Sequence, residues 1–153
     1  MPDGGILLKY VHILAAMVYV TGYIAGAILQ NASARATEWP VRGALLRYSN
    51  VLTNGLLVPG FFAAGALGVA TAMVLGYPLL SGWVRNALVL YVFILVTGLA
   101  YWSPRGRKQQ AALDARDETA FTRVARSPSI RYVGTLDGIV ILLLIYLMVV
   151  KPA

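Results

Sequence analysis

Seven side chains stand out as chemically capable in an otherwise hydrocarbon-like sequence: Lys9, His12, Met73, Arg85, Asp137, Met148 and Lys151. His12, the only histidine, lies inside LLKYVHILAAMVYV, residues 7–20. A neutral imidazole binds iron through one nitrogen, a thioether can be the sixth ligand, and interfacial cations can pair with propionates. The inventory therefore suits a b-type haem, with His12 as axial metal ligand, Met148 or Met73 opposite it, and Lys9, Arg85 and Lys151 as propionate partners. Each residue also has a plainer use. His12 serves as a core histidine if it bonds Tyr19, Tyr91 or a backbone carbonyl; methionine is ordinary filler, and cations snorkel to headgroups.

Asp137 raises a separate question, because a carboxylate at mid-span costs about 2.5–3.5 kcal/mol on insertion scales and marks a functional hypothesis by default. It shares a helix face with Ile141, Leu144, Met148 and Lys151. At 1.5 Å per residue it lies some 16 Å from Met148, too far to orient His12. The expected partners are Arg131 or tyrosine hydroxyls, and the sharper alternative is a proton or solute relay.

The elements that position these groups follow from composition. The chain has 153 residues, 59% hydrophobic and 12% charged, with mean hydropathy +0.71. That is too apolar for a surface facing water. A helix needs about 20 residues to cross about 30 Å of hydrocarbon. Four stretches suffice, at about 6–29, 51–75, 84–102 and 132–150. The expected fold is all-α, a four-transmembrane-helix bundle forming one domain over 1–153, with a cytoplasmic loop at 103–131. The leader MPDGG is acidic and lacks a basic region, so the first stretch is expected to remain as a helix rather than act as a signal peptide.

Charge sets the expected orientation. Arg35, Arg42 and Arg47 fall between the first two spans, and seven Lys and Arg residues fall in 103–131. The positive-inside rule makes both connections cytoplasmic, which puts both termini and the turn around Pro78 and Gly82 on the extracytoplasmic side. Tyr10, Tyr77, Trp83 and Tyr146 at the outer ends, and Tyr48, Tyr101, Trp102 and Tyr132 at the inner ends, agree with aromatic belts. The expected location is a bacterial inner (plasma) membrane, crossed four times. The net charge of +7 then needs no nucleic acid, and the basic connections are drawn to anionic headgroups of the lipid bilayer. His12 lies roughly 10 Å below the outer boundary of its span.

Within the long loop, Leu113, Phe121, Val124 and Ala125 recur at helical spacing among charges, which suits an interfacial amphipathic helix or a solvated loop. Gly22 and Gly26, and Ala64, Gly68 and Ala72, form small-residue stripes that let helices approach closely. One face of the first helix carries His12, Ala16, Tyr19, Tyr23 and Gly26. Pro59 should kink the second helix and free a carbonyl that Asn54 or Thr53 can satisfy. With no cysteine, disulfides and cysteine-based zinc sites are excluded. No hydrolase or nucleotide motif is present, since the glycines lie in membrane helices.

LLKYVHILAAMVYVTGYIAG at the start, RYVGTLDGIVILLLIYLMVVKP at the end and the basic connections between them resemble the small integral membrane proteins of domain of unknown function 2269, over essentially the whole chain. Lys9, His12, Met148, Lys151 and Pro152 carry the most recognisable part. More distantly, the layout resembles the HemJ-type protoporphyrinogen oxidases, four-helix membrane proteins that bind haem b, and the copper-resistance D family. This implies a metal or haem role for His12. A single histidine departs from bis-histidine ligation within one chain, although a homo-oligomer could bring two His12 side chains together.

Three functional readings follow: a haem b protein with a redox or haem-handling role, a non-enzymatic accessory or assembly subunit of a membrane complex, and a small transporter using Asp137.

Overall fold

A computed structural model describes residues 3–151. Every regular element among them is helical: α1 (Asp3–Arg35), α2 (Trp39–Leu52), a π-helical turn π1 (Thr53–Leu57), α3 (Val58–Val74), α4 (Gly82–Thr97), a second π-helical turn π2 (Gly98–Trp102), α5 (Ser103–Asp114), α6 (Glu118–Ala125) and α7 (Pro128–Val150). Four continuous helical stretches are long and apolar enough to cross a membrane: Gly4–Arg35, Trp39–Val74, Gly82–Asp114 and Glu118–Val150. The chain divides into two compact units, up to Leu79 and from Leu80 onward.

These stretches run 32 to 36 residues, about 50 Å at 1.5 Å per residue, against about 30 Å of hydrocarbon. The surplus is the polar sequence near residues 36–38 and 115–117, where each unit turns from one long helix into the next. Within the expected connection at 103–131 the chain is helical: α5, α6 and the first turn of α7 lie there, joined by short turns.

Two of the long helices run through a proline. Pro59 and Pro104 each lie inside a long helix, where proline lacks an N–H and its ring clashes with the carbonyl four residues back. Both are preceded by a π-helical turn, in which the Val58 N–H reaches the Thr53 carbonyl and the Ser103 N–H reaches the Gly98 carbonyl. The wider turn shifts the hydrogen-bond register just before the ring. The helix continues past Pro59 by this shift, without an Asn54 or Thr53 side chain as the device.

In the first unit, α1 lies against α2, π1 and α3. His12, Tyr19, Gly26 and Ser33, spaced by seven, are all buried, and Gly22 lies between them. A seven-residue period keeps one seam facing its partner along the whole helix. Tyr23 and Ala16, expected on that face, are half-buried. The other faces of α1 expose Ile6, Leu7, Ile13 and Met17, as lipid contact requires.

At the turn after α1, Arg42 is 4% exposed and donates from Nε and Nη2 to the Ala36 carbonyl at 3.2 and 2.8 Å. The cation thus closes the carboxyl end of a helix, where backbone carbonyls lack intrahelical donors. Ser33 donates to the Arg42 carbonyl at 2.8 Å from the other side.

In the second unit, α4 packs on α7 and α5 on α6. The α5–α6 turn ends α5 with Arg116 in the left-handed region, φ 53, where glycine is usual. Asp117 then caps α6 by accepting the Ala120 N–H at 2.8 Å. Phe121, 1% exposed, and Leu113 and Ala112 are buried, so the apolar stripe predicted for an interfacial helix is packed within the protein.

Candidate functional site

Two of the candidate residues, one in each unit, are buried and held by specific contacts. His12 is 8% exposed, and its Nδ1 lies 3.0 Å from the Ala64 carbonyl oxygen on α3. Of the partners open to it in the sequence, a backbone carbonyl is the one used. A carbonyl can only accept, so Nδ1 carries a proton, and in the neutral ring Nε2 then keeps its lone pair. The ring lies over Gly68, where an added Cβ would meet Cε1 at 3.0 Å and Nδ1 at 3.4 Å. Glycine at 68 therefore makes the space the imidazole occupies.

The remaining candidate residues are distributed as follows. In the first unit, Lys9 is exposed one turn before His12. Met73 is 64% exposed while its neighbours Thr71 and Ala72 are buried, so its sulfur lies off the α3 face that receives His12. In the second unit Arg85 is exposed, Met148 is 37% exposed, and the Lys151 ammonium sits 5.7 Å from the centroid of the Trp83 ring. That last placement is a cation–π contact between a terminal cation and an aromatic of the expected outer belt. Among the described residues, no group of three or more His, Cys, Asp or Glu side chains gathers as a metal site.

Asp137 is 3% exposed. Its Oδ2 accepts the Trp102 indole N–H at 2.6 Å, and its Oδ1 lies 3.1 Å from the Thr97 hydroxyl. The expected pairing with Arg131 is corrected: Arg131 is exposed, and the partners are two neutral groups from π2 and the end of α4. Gly134, one turn before Asp137, faces the indole, and a Cβ there would make an ordinary contact with Trp102 at 3.8 Å. By sequence pattern Trp102 belongs to an aromatic belt, and nothing marks Thr97. The only advance signal was the cost of an isolated acid, which demands donors without naming them.

Four helical stretches long and apolar enough to cross a membrane, with only helices as regular elements among the described residues, define a multi-pass integral membrane protein. The chain belongs to the family of predicted integral membrane proteins DUF2269, whose family model matches residues 6–152. No curated protein and no solved structure matches it.

Proposed function

We propose that the protein binds haem b through His12 and serves a redox or haem-handling role in a bacterial inner membrane. The observation that carries this reading is the bond from Nδ1 to the Ala64 carbonyl. Metal-ligating histidines characteristically donate their second ring nitrogen to such an acceptor, which fixes the tautomer and raises the basicity of the other nitrogen. His12 fits the ligand role in this respect, and Lys9, one turn away, has the charge and reach for a propionate. Met73, off the His12 face, does not fit as the opposite ligand. Haem, when bound, supplies one-electron chemistry. The chain's own contribution is to hold the imidazole at a set angle and to keep water from it by burial.

A second reading is supported by the close fit of the ring over Gly68: His12 as an interhelical strut in a non-enzymatic accessory subunit. One experiment separates the two. The detergent-purified protein, supplied with haem, is scanned oxidised and dithionite-reduced beside His12→Ala. A Soret band and a reduced α-band lost in the variant support ligation. A colourless wild type after haem is supplied overturns it and leaves the strut.

A further inference from the structure

We propose that the second unit binds anionic phospholipid headgroups through Arg107, Lys108 and Arg131, at the level where its apolar spans give way to α5 and α6. The proposal is independent of the haem reading.

Two hydrogen bonds set one level across the unit. The Tyr101 hydroxyl donates to Ser129 Oγ at 2.9 Å, which joins the end of π2 to the first turn of α7. Arg105 Nη2 donates to the Val124 carbonyl at 3.1 Å, which joins the start of α5 to the last turn of α6. Residues 101–105 and 124–129 therefore lie side by side. On one side of this level stand Leu99, Tyr132 and Leu136, all exposed. On the other stand α5 and α6, whose exposed residues include most of the charges of the unit. The level is thus the border between hydrocarbon and headgroups, where aromatic side chains gather.

The cations gather at that border and the acids away from it. Arg107, Lys108, Arg123, Arg126 and Arg131 are exposed. Lys108 is six residues past Trp102, about 9 Å along the helix, and Arg131 adjoins Tyr132. The acids of the segment, Asp114, Asp117 and Glu118, sit around the α5–α6 turn. Lys108 and Arg107 precede Asp114 by six and seven residues, about 9–11 Å. That exceeds the screening length of about 8 Å at physiological ionic strength. The eight residues of α6, about 12 Å long, separate the same turn from the junction that leads to Arg131. The border charge is therefore not cancelled by the acids of the tip. A protein docking from water would meet the mixed charges of the tip first. A phospholipid instead sets its phosphate at the border and its acyl chains against Leu99 and Leu136.

The first unit differs. Arg42 counts toward its positive charge but is buried, closing the carboxyl end of α1 at Ala36. Arg35 and Arg47 remain exposed, with Glu38 exposed between them in sequence. A bare count of Lys and Arg draws both connections to anionic lipid. Burial of Arg42 leaves the second connection with the larger exposed charge. Arg105 is also withdrawn from the surface: it is half-buried, with its guanidinium 5.1 Å from the centroid of the Tyr101 ring. It holds the border level together, and its neighbours present the charge.

The test places the full chain in phosphatidylcholine vesicles with spin-labelled phosphatidylglycerol or spin-labelled phosphatidylcholine, and reads the lipid immobilised at the protein by electron paramagnetic resonance. The expected result is a preference for phosphatidylglycerol of about fivefold, the factor one basic residue supplies at an anionic surface. It should fall towards one in about 1 M salt, where the screening length is about 3 Å, and in Arg107→Gln/Lys108→Gln/Arg131→Gln. That variant keeps Arg105, Arg116, Arg123 and Arg126, so the connection stays basic. The preference should persist in Arg35→Gln/Arg47→Gln and should not fall in Asp114→Asn/Glu118→Gln. If the triple variant fails to insert, each single substitution should remove part of the preference, and no change in any of the three overturns the proposal. Equal immobilisation of the two lipids by the wild type overturns it and turns the cations toward an acidic protein partner. A preference unchanged in the triple variant, or lost as fully in Arg35→Gln/Arg47→Gln, overturns it as well.

Discussion

A methyl group on Gly22 would sit 2.5 Å from the backbone nitrogen of Leu57, closer than any real side-chain carbon comes. The same holds in reverse between Gly60 and Tyr19, where the distance would be 2.7 Å. α1 therefore meets π1 and α3 backbone to backbone, and neither neighbour is a flexible side-chain end that can yield. Overpacking of this kind costs about 1–3 kcal/mol. Gly22→Ala is expected to lose that much in denaturant unfolding in detergent followed by circular dichroism. Gly106→Ala in α5, where nothing lies within 4 Å, should instead gain up to about 1 kcal/mol from helix propensity. Equal effects at the two sites would remove the case for a glycine-packed seam.

His12 and Gly68 should be coupled. A Cβ at 68 would press on the imidazole at 3.0 Å, so Gly68→Ala alone is expected to destabilise the first unit. In a His12→Ala background the ring is gone and the new methyl fills space. The double-mutant cycle should show a coupling of about 0.5–3 kcal/mol. Additive effects would mean that the two residues do not touch in the folded protein.

Arg42 is expected to be needed as arginine and not as a charge. Both Nε and Nη2 converge on the Ala36 carbonyl, and hydrogen bonds from charged groups are worth about 1.5–3 kcal/mol. Arg42→Ala should cost about that in unfolding free energy. Arg42→Lys should recover little, because an ammonium on a flexible stem does not reproduce the planar fork. Full recovery by lysine would make Arg42 one more positive charge of a basic connection.

That contrast shows what the sequence could and could not disclose. The four spans were legible because length and apolarity are local properties. Gly22 was legible in a small-residue stripe, although Leu57 as its neighbour was not, and Gly60 with its neighbour Tyr19 lay outside both stripes. Arg42 counted toward the positive-inside bias, since its burial depends on the shape of a turn. The third span reads as ending at about 102, where apolarity stops, and the helix continues past Pro104 by way of a preceding π-helical turn that no local pattern announces. Asp137 announced itself by its cost, but Trp102 and Thr97 come from 35 and 40 residues away, a separation no periodicity reports.

Orientation in the membrane can be read directly, because the sequence has no cysteine to remove. Thr37→Cys and Ala115→Cys place single thiols at the two connections, and Leu80→Cys places one at the turn after α3. With an impermeant maleimide, Thr37→Cys and Ala115→Cys should label only from the cytoplasmic face and Leu80→Cys only from the opposite face, as the basic connections require. Labelling of Ala115→Cys from outside would break the charge argument for the second unit.

Phe121 decides whether the end of the second unit is a packed hairpin or a helix lying on lipid. It is 1% exposed, on a helix of eight residues too short to hold its shape alone in water. Removing a buried phenyl group costs about 3–5 kcal/mol, more than such a short hairpin can be expected to spare. Phe121→Ala should therefore raise amide hydrogen exchange throughout α5 and α6 while the apolar parts of α4 and α7 stay protected. A helix held by lipid would respond differently: the loss would be confined to α6, would depend on the bilayer, and would leave α5 unchanged. Exchange measured in detergent and in bilayers separates the two, and melting of α5 and α6 together in both media is the outcome the packing predicts.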